Sequence, residues 1–237
     1  MGPTSPLRVL CYHSIADLEG TSISDYATPP GLFEAQIKAV LTLKFTFLDP
    51  RDFNRLVAGR MSPKPRSVLL TFDDCYQDLF DTAFPILEKY NIKAMAFCVT
   101  RHIGGHNDWD RGKAPSLPLA DVAQLKQLEG AGWVIGAHTR SHPDLTNLAA
   151  PEVVEEIGGS IADLEAAGFE TPGYLAYPYG FCDDQVVQTC RELGLSGAFT
   201  VKAGKFNPGA DPFRIPRIEV LRSHKRLGFI KNFLRPA

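Results

Sequence analysis

The stretch SVLLTFDD, residues 67–74, sets the frame for the chain. Its apolar run Val68-Leu69-Leu70 is short and bounded by polar residues, the pattern of a buried strand, so Asp73 and Asp74 fall where that strand ends. Two adjacent carboxylates at the mouth of a buried strand repel each other and lose hydration, and a bound cation is the usual compensation. The plain alternative is that one Asp caps the following helix while the other is solvated.

Outward from this stretch, strand and helix patterns alternate. Upstream, residues 7–12 read as a strand ending in His13-Ser14, and Phe33, Ile37, Val40 and Leu41 predict an amphipathic helix over 31–43. A short strand over 45–48 and a short helix over 50–58 follow. Downstream, Leu79 to Tyr90 predict a helix with Pro85 as a kink. Residues 94–99 read as a buried strand, 101–118 as a long loop, the stretch around Val122, Leu125 and Leu128 as a helix, and 133–135 as a strand leading to His138. Residues 151–167 predict a helix with Val154, Ile157, Ile161 and Leu164 inward. A strand over 174–176 runs into Tyr177-Pro178-Tyr179-Gly180, a helix covers 185–193, and the last strands are 197–200 and 213–220.

Seven or eight such units predict an α/β fold, a (β/α) barrel rather than an open sheet. Barrel active sites lie at the carboxyl ends of the strands, which gathers His13, Asp73, Asp74, His138 and Tyr179 on one rim.

The chain has 237 residues, a length suited to one domain over 1–237. Lys and Arg total 25 against 27 Asp and Glu, a balance that gives no support to a nucleic-acid groove. No run approaches the ~20 apolar residues of a membrane span, and residues 1–8 lack the plan of a secretory signal. The expectation is a cytoplasmic protein if Met1 is the native start, and otherwise an exported one with its signal removed. Five cysteines without a C-x-x-C pair predict reduced thiols.

His138-Thr139-Arg140-Ser141-His142 places two imidazoles four residues apart at a strand end. That spacing lets both rings reach one ion in a tight turn, although paired surface histidines are common. With a carboxylate from the other rim site they make a ligand set with open positions for water and substrate.

Taken in order, Thr71-Phe72-Asp73-Asp74, His138-Thr139-x-Ser141-His142 and Tyr177-Pro178-Tyr179-Gly180 resemble the motifs of the polysaccharide deacetylase family, carbohydrate esterase family four. The resemblance implies a NodB-homology fold, a distorted (β/α) barrel of seven or eight strands. It also implies metal-dependent hydrolysis that removes an N-acetyl group from an amino sugar or glycan. Residue by residue, Asp74, His138 and His142 match the metal ligands and Asp73 the general base. The backbone N–H of Tyr179 matches the oxyanion donor. The ion implied is one divalent metal, zinc first, with cobalt, nickel or manganese accepted by the same donors.

The chain departs from the common pattern in three places. Ala176 stands where an Arg would orient the base, and neither a D-x-x-D-W element nor a Leu-x-x-His element is present. His13, in Tyr12-His13-Ser14, resembles the general acid of the branch that deacetylates poly-β-1,6-N-acetylglucosamine. Arg217 is a candidate to orient Asp73 in that branch.

Asn107, Trp109 and Asp110 in the long loop suit a pyranose, with Tyr177 and Pro178 beside them as substrate contacts. Segment 222–235 is basic with an apolar face, which fits either closure of the barrel or a peripheral contact with an anionic membrane. Two other functions fit the sequence. One is a deacylase or deformylase of a lipid-linked, nucleotide-linked or small-molecule amino sugar or other amide. The other is a carbohydrate-binding pseudoenzyme, against which the intact Asp73 and Asp74 count.

Overall fold

The computed structural model describes residues 6–170 and 173–235. Met1, on which the expectation of location rests, lies outside the described residues. Among the described residues eight strands form one sheet: β1 (Arg8–Tyr12), β2 (Thr46–Phe47), β3 (Ser67–Phe72), β4 (Met95–Cys98), β5 (Val134–Ala137), β6 (Tyr174–Ala176), β7 (Gly197–Phe199) and β8 (Ile218–Glu219). Every strand pairing is parallel, in the order β7-β6-β5-β4-β3-β1-β8 with β2 beside β3.

The sheet curls into the distorted (β/α) barrel that the alternation predicts. Its seam is the segment before and within β8. Ile215 bridges Phe199 and the Arg217 N–H donates to the Lys202 carbonyl, while Ile218 and Glu219 pair with Leu10 and Cys11. The strand predicted over 213–220 is reduced to this bridge and two residues of β8, because Pro216 has no N–H for a ladder.

Among the described residues seven helices surround the sheet: α1 (Pro30–Thr42), α2 (Pro50–Val57), α3 (Phe84–Glu88), α4 (Val122–Gly130), α5 (Ala150–Ala166), α6 (Asp184–Glu192) and α7 (Lys225–Leu234). The helix predicted from Leu79 is split: a wide π-type turn over Leu79–Ala83 precedes α3, and Pro85 falls in the first turn of α3, where its missing N–H matters least. In α5 the inward residue is Val153; Val154, expected there, is exposed. The same side of α5 also buries Glu156 and Ser160.

Strand period decides what enters the barrel. From β3, Val68, Leu70 and Phe72 pack outward under the helices, while Leu69 joins Val9, Met95, Phe97, Val134, Tyr174 and Phe199 inside. Phe53 of α2 packs at tilted angles on Tyr174, Phe199 and Phe206 and plugs the amino-terminal end. The same alternation carries Asp73 inward beyond Leu69 and Thr71, and His13 beyond Val9 and Cys11.

Phe229 and Phe233 of α7 are buried, and Phe233 packs on Phe45, so that helix turns its aromatic face to the core. Leu227 and Leu234 stay exposed on it. No helix among the described residues is long and apolar enough to cross a membrane.

Candidate active site

A cavity of about 340 Å³ opens at the carboxyl ends of the strands, large enough for a single sugar with its acyl group. His13, Asp73, Asp74, His138, His142 and Tyr179 line it together with Trp109 and Asp110. Residues from five separate chain segments therefore meet on the rim.

Asp73 is buried and gripped by Arg217, whose two terminal nitrogens donate to its two oxygens at 2.7 and 2.6 Å. Arg217 is itself fully buried, with its guanidinium 6.0 and 5.8 Å from the rings of Phe97 and Phe199, and its Nε donates to the Thr200 carbonyl at 2.9 Å. Burial pushes the Asp73 carboxyl up, but the Arg217 guanidinium, helped by His138 and His13, outweighs it and holds the acid well below the usual carboxylate range. Asp73 is thus an anion at every ordinary pH.

Asp74 faces the other way. Its Oδ1 stands 3.5 Å from Nε2 of His138 and 3.5 Å from Nε2 of His142, and it is a buried atom with no hydrogen-bond partner. Ligand atoms around a tetrahedral zinc with bonds of about 2.0–2.1 Å stand roughly 3.4 Å apart, so these three atoms are spaced for one ion. The opposite nitrogen of the His138 ring is already engaged, since Nδ1 pairs with the Ala176 carbonyl at 2.7 Å, and this turns Nε2 toward Asp74.

Burial lowers both imidazole pKa values, keeping the rings in the neutral form that ligates. Burial first, then Asp73 and Asp110, raise Asp74 well above its ordinary value. A carboxylate so disfavoured beside two neutral rings is a site that a cation would relieve. Cys11, His13 and Asp73 also converge within 4.8 Å. There the Arg217 charge already occupies Asp73, which leaves no comparable demand for a cation.

His13 sits at the end of β1 with its Nδ1 buried and unpartnered, edge-on to Tyr26 at 5.1 Å. Burial lowers its pKa to about 4, with Asp73 opposing and Arg217 and His138 adding to the effect. Resting His13 is therefore neutral. Ser14 and Ile15 beside it are anchored by Asp78, which accepts the Ser14 hydroxyl at 2.6 Å and the Ile15 N–H at 2.7 Å.

Backbone strain concentrates here. Nine non-glycine residues among those described have positive φ, and five of them, Asp74, Cys75, Thr139, His142 and Tyr179, belong to the rim. Each such residue costs on the order of 1–3 kcal/mol and persists only where its surroundings over-determine it. Cys75 in this turn packs against Cys98, Sγ to Sγ 2.9 Å, and all five cysteines are free thiols.

Trp109 stacks on His142 with ring centres 5.0 Å apart and planes at 26°, and Tyr179 meets the same imidazole edge-on at 4.8 Å. Three expected substrate contacts are placed elsewhere. Asn107 is buried and braces its own loop, donating to the Pro115 carbonyl at 3.1 Å and accepting the Leu117 N–H at 2.7 Å. Tyr177 is one residue past the inward Ala176, so it points into the outer core and donates its hydroxyl to the Phe213 carbonyl at 3.0 Å. Pro178 is buried at the start of the turn that presents Tyr179.

Conversely, the cavity wall includes Tyr26, Phe181 and Glu219, which the sequence reading passed over. Phe181 directly follows the Tyr-Pro-Tyr-Gly motif, the one local sign that marks it, and Tyr26 and Phe181 are both exposed at the rim.

The sequence profile of the polysaccharide deacetylase family matches residues 60–198. A poly-beta-1,6-N-acetyl-D-glucosamine N-deacetylase of Staphylococcus epidermidis is 31% identical over 208 residues, 84% of this chain and 69% of the relative. The protein of the same name from Staphylococcus aureus MRSA252 is 28% identical over 205 residues, 83% of this chain and 68% of its own length. Among solved structures, IcaB from Ammonifex degensii superposes with a TM-score of 0.83 over 98% of this chain and 99% of that one, at 24% identity. The Streptococcus pyogenes deacetylase PplD, in complex with acetate, gives 0.81 over 98% and 100%, also at 24% identity. At that identity the two structures speak to the fold alone.

Proposed function

The chain belongs to the polysaccharide deacetylase family, a hydrolase of that type, and on that premise we propose that it removes N-acetyl groups from the glucosamine units of a β-1,6-linked glycan in a metal-dependent reaction. The relatives carrying that name support the substrate. The observation that carries the mechanism is the division of two adjacent acids, with Asp73 clamped by Arg217 and Asp74 aimed at His138 and His142. In this reading residues 1–237 form one catalytic domain.

Asp74, His138 and His142 would hold one divalent ion, zinc first. Bound there, it supplies polarisation of the amide carbonyl and a lowered pKa for the attacking water. Asp73, always ionised, takes the water's proton. Because Arg217 makes Asp73 a weak base, the proton does not stay. Neutral His13, with a nitrogen within 4.8 Å of Asp73, receives it and delivers it to the departing amine, which is far more basic than either group. The backbone N–H of Tyr179 donates to the developing oxyanion, a contact whose loss typically costs about 3 kcal/mol of barrier. Trp109 and Asp110 hold the sugar at the mouth.

A specific observation favours a second reading. A neighbouring cavity of about 340 Å³ shares Val201 and Glu219 with the first and is lined by Lys205, His224 and Arg235. The cationic Lys205 and Arg235 beside an acylamino-sugar site suit a substrate with a phosphate on that sugar, as in a lipid-linked or nucleotide-linked amino sugar.

The zinc-loaded protein is expected to release acetate from β-1,6-linked N-acetylglucosamine oligomers, to stop with a chelator and to recover with zinc or cobalt. His142→Ala should lose zinc affinity. Tenfold higher kcat/KM on a phosphate-linked N-acyl sugar would transfer the assignment to the second reading. Zinc binding without hydrolysis of any acylamino sugar would mean a carbohydrate-binding relic and overturn both.

A further inference from the structure

We infer that Glu156 is a positioning residue for the metal ligands: its carboxylate fixes the 138–142 turn in the one conformation that aims both imidazoles at Asp74. The inference rests on the reading of Asp74, His138 and His142 as a ligand set.

The turn cannot hold that shape on local preference. Thr139 has φ 65° and His142 has φ 63°, and a left-handed backbone is a genuine outlier for β-branched Thr. Such conformations persist only when something outside the segment over-determines them. The His142 N–H donating to Thr139 Oγ1 at 3.0 Å closes the turn on itself but sets no direction relative to the barrel.

Glu156 sets that direction. It lies mid-helix in α5, only 8% exposed, and the donors that saturate its carboxylate all come from the two residues between Thr139 and His142. Oε2 accepts the Arg140 N–H and the Ser141 N–H, each at 2.9 Å, and Oε1 accepts the Ser141 hydroxyl at 2.6 Å. A carboxylate taking three such bonds is a strong and directional acceptor. Released from it, two peptide N–H groups in a half-buried turn would have to find new partners, and the turn would relax toward ordinary φ values.

The rest of α5 is shaped around the same turn. A Cβ on Gly159 would stand 2.5 Å from Cδ of Arg140, so this interior helix glycine exists to let the Arg140 side chain lie across the helix. Arg140 then reaches Asp163 through Nε and a terminal nitrogen, both at 2.9 Å. Asp163 also accepts the Thr100 hydroxyl at 2.7 Å, and the Thr100 N–H donates to the Thr139 carbonyl at 3.1 Å. Glu156, Gly159 and Asp163 follow helical spacing, a polar stripe directed at the ligand turn and not at solvent.

Outer-shell partners that orient ligands typically change metal affinity by about 10–100-fold when removed. A Glu156 that merely supported the loop would change stability without that effect, and this separates the two roles. The test measures zinc affinity of the full chain by competition with a chromophoric chelator, and the thermal midpoint of the zinc-free protein, for Glu156→Gln, Ser141→Ala and Glu155→Gln. Glu155 is exposed on the same helix and, among the described residues, pairs with the Arg101 and Arg140 side chains but takes no bond from the Arg140 or Ser141 backbone, so it serves as the control.

The expected result is zinc binding weakened tenfold or more in Glu156→Gln, by less in Ser141→Ala, and within about twofold of wild type in Glu155→Gln. If Glu156→Gln lowered the zinc-free midpoint but kept wild-type zinc affinity, the inference would be overturned while the ligand set stood. Wild-type protein that bound no zinc would overturn the ligand set and the inference together. Should Glu156→Gln fail to fold, Ser141→Ala decides: unchanged affinity in it refutes the clamp.

Discussion

Arg217 and Asp73, 144 residues apart, form a doubly hydrogen-bonded ion pair at 2.7 and 2.6 Å in the interior of the barrel. The pair brings the seam of the barrel to the end of β3. It also sets a guanidinium on Asp73 from the β8 side, while position 176 offers only an alanine methyl.

Arg217→Met should therefore expose the base to its own burial. The folded Asp73 pKa is depressed, so the pair stabilises the protein above the unfolded carboxylate value of about 4 and that stabilisation is lost as pH falls through the folded pKa. In the variant the carboxyl rises. The acid limb of kcat should move to higher pH, the maximum should drop by about 100-fold or more, and stability at pH 7 should fall by about 3–5 kcal/mol. The pH-rate profile and urea unfolding check this; an unmoved acid limb would show that Arg217 does not set the state of Asp73.

His13 should remain neutral well below the ordinary histidine range, given a pKa of about 4. Ring NMR of the zinc-free protein should find it uncharged at pH 5.5. Its lowered folded pKa means the unfolded chain takes the proton first, so His13 costs stability as pH falls below about 6.5 and His13→Ala should be relatively more resistant to acid. In that variant kcat should drop about 100-fold while zinc affinity holds. Titration of His13 near 6.5 would show that burial does not set its charge.

Trp109 stacks on the His142 ring with centres 5.0 Å apart. Trp109→Ala should raise KM about tenfold and Trp109→Phe far less, because an aromatic face serves both the imidazole and a sugar. Steady-state kinetics on a short oligomer separates them; equal KM values in all three proteins would place the sugar elsewhere.

Tyr177→Phe should cost stability and leave catalysis alone. The variant strands the buried Phe213 carbonyl, worth about 1–3 kcal/mol. A melting curve and one activity assay suffice, and a large fall in kcat at an intact fold would return Tyr177 to the site.

How much of this was legible in the chain follows the range of the interactions. Asp73, Asp74, His138 and His142 announce themselves because each pair is local and unusual at a strand end, and the family motifs name Tyr179. Asn107 and Tyr177 stand outside the cavity wall, because residue type says nothing of direction. One position past Ala176, the strand period turns Tyr177 to the outer core, and Asn107 commits both its amide atoms to its own loop. Val154 missed inward packing by the same kind of one-residue rotation in α5.

The sequence by itself determined the alternation of strands and helices, the barrel and the rim on which the acids and histidines lie, since hydrophobic period and neighbouring residues encode them within a few positions. Tertiary structure alone decided how the surroundings of the two acids differ, a division of labour that the family motifs only imply. Asp73 and Asp74 are neighbours of identical chemistry, and only the closure of the barrel sets a guanidinium on one and two neutral imidazoles before the other. Those partners come from positions 217, 138 and 142, and their effect on a carboxylate depends on distance in a water-poor interior, a quantity that does not exist until the chain has folded.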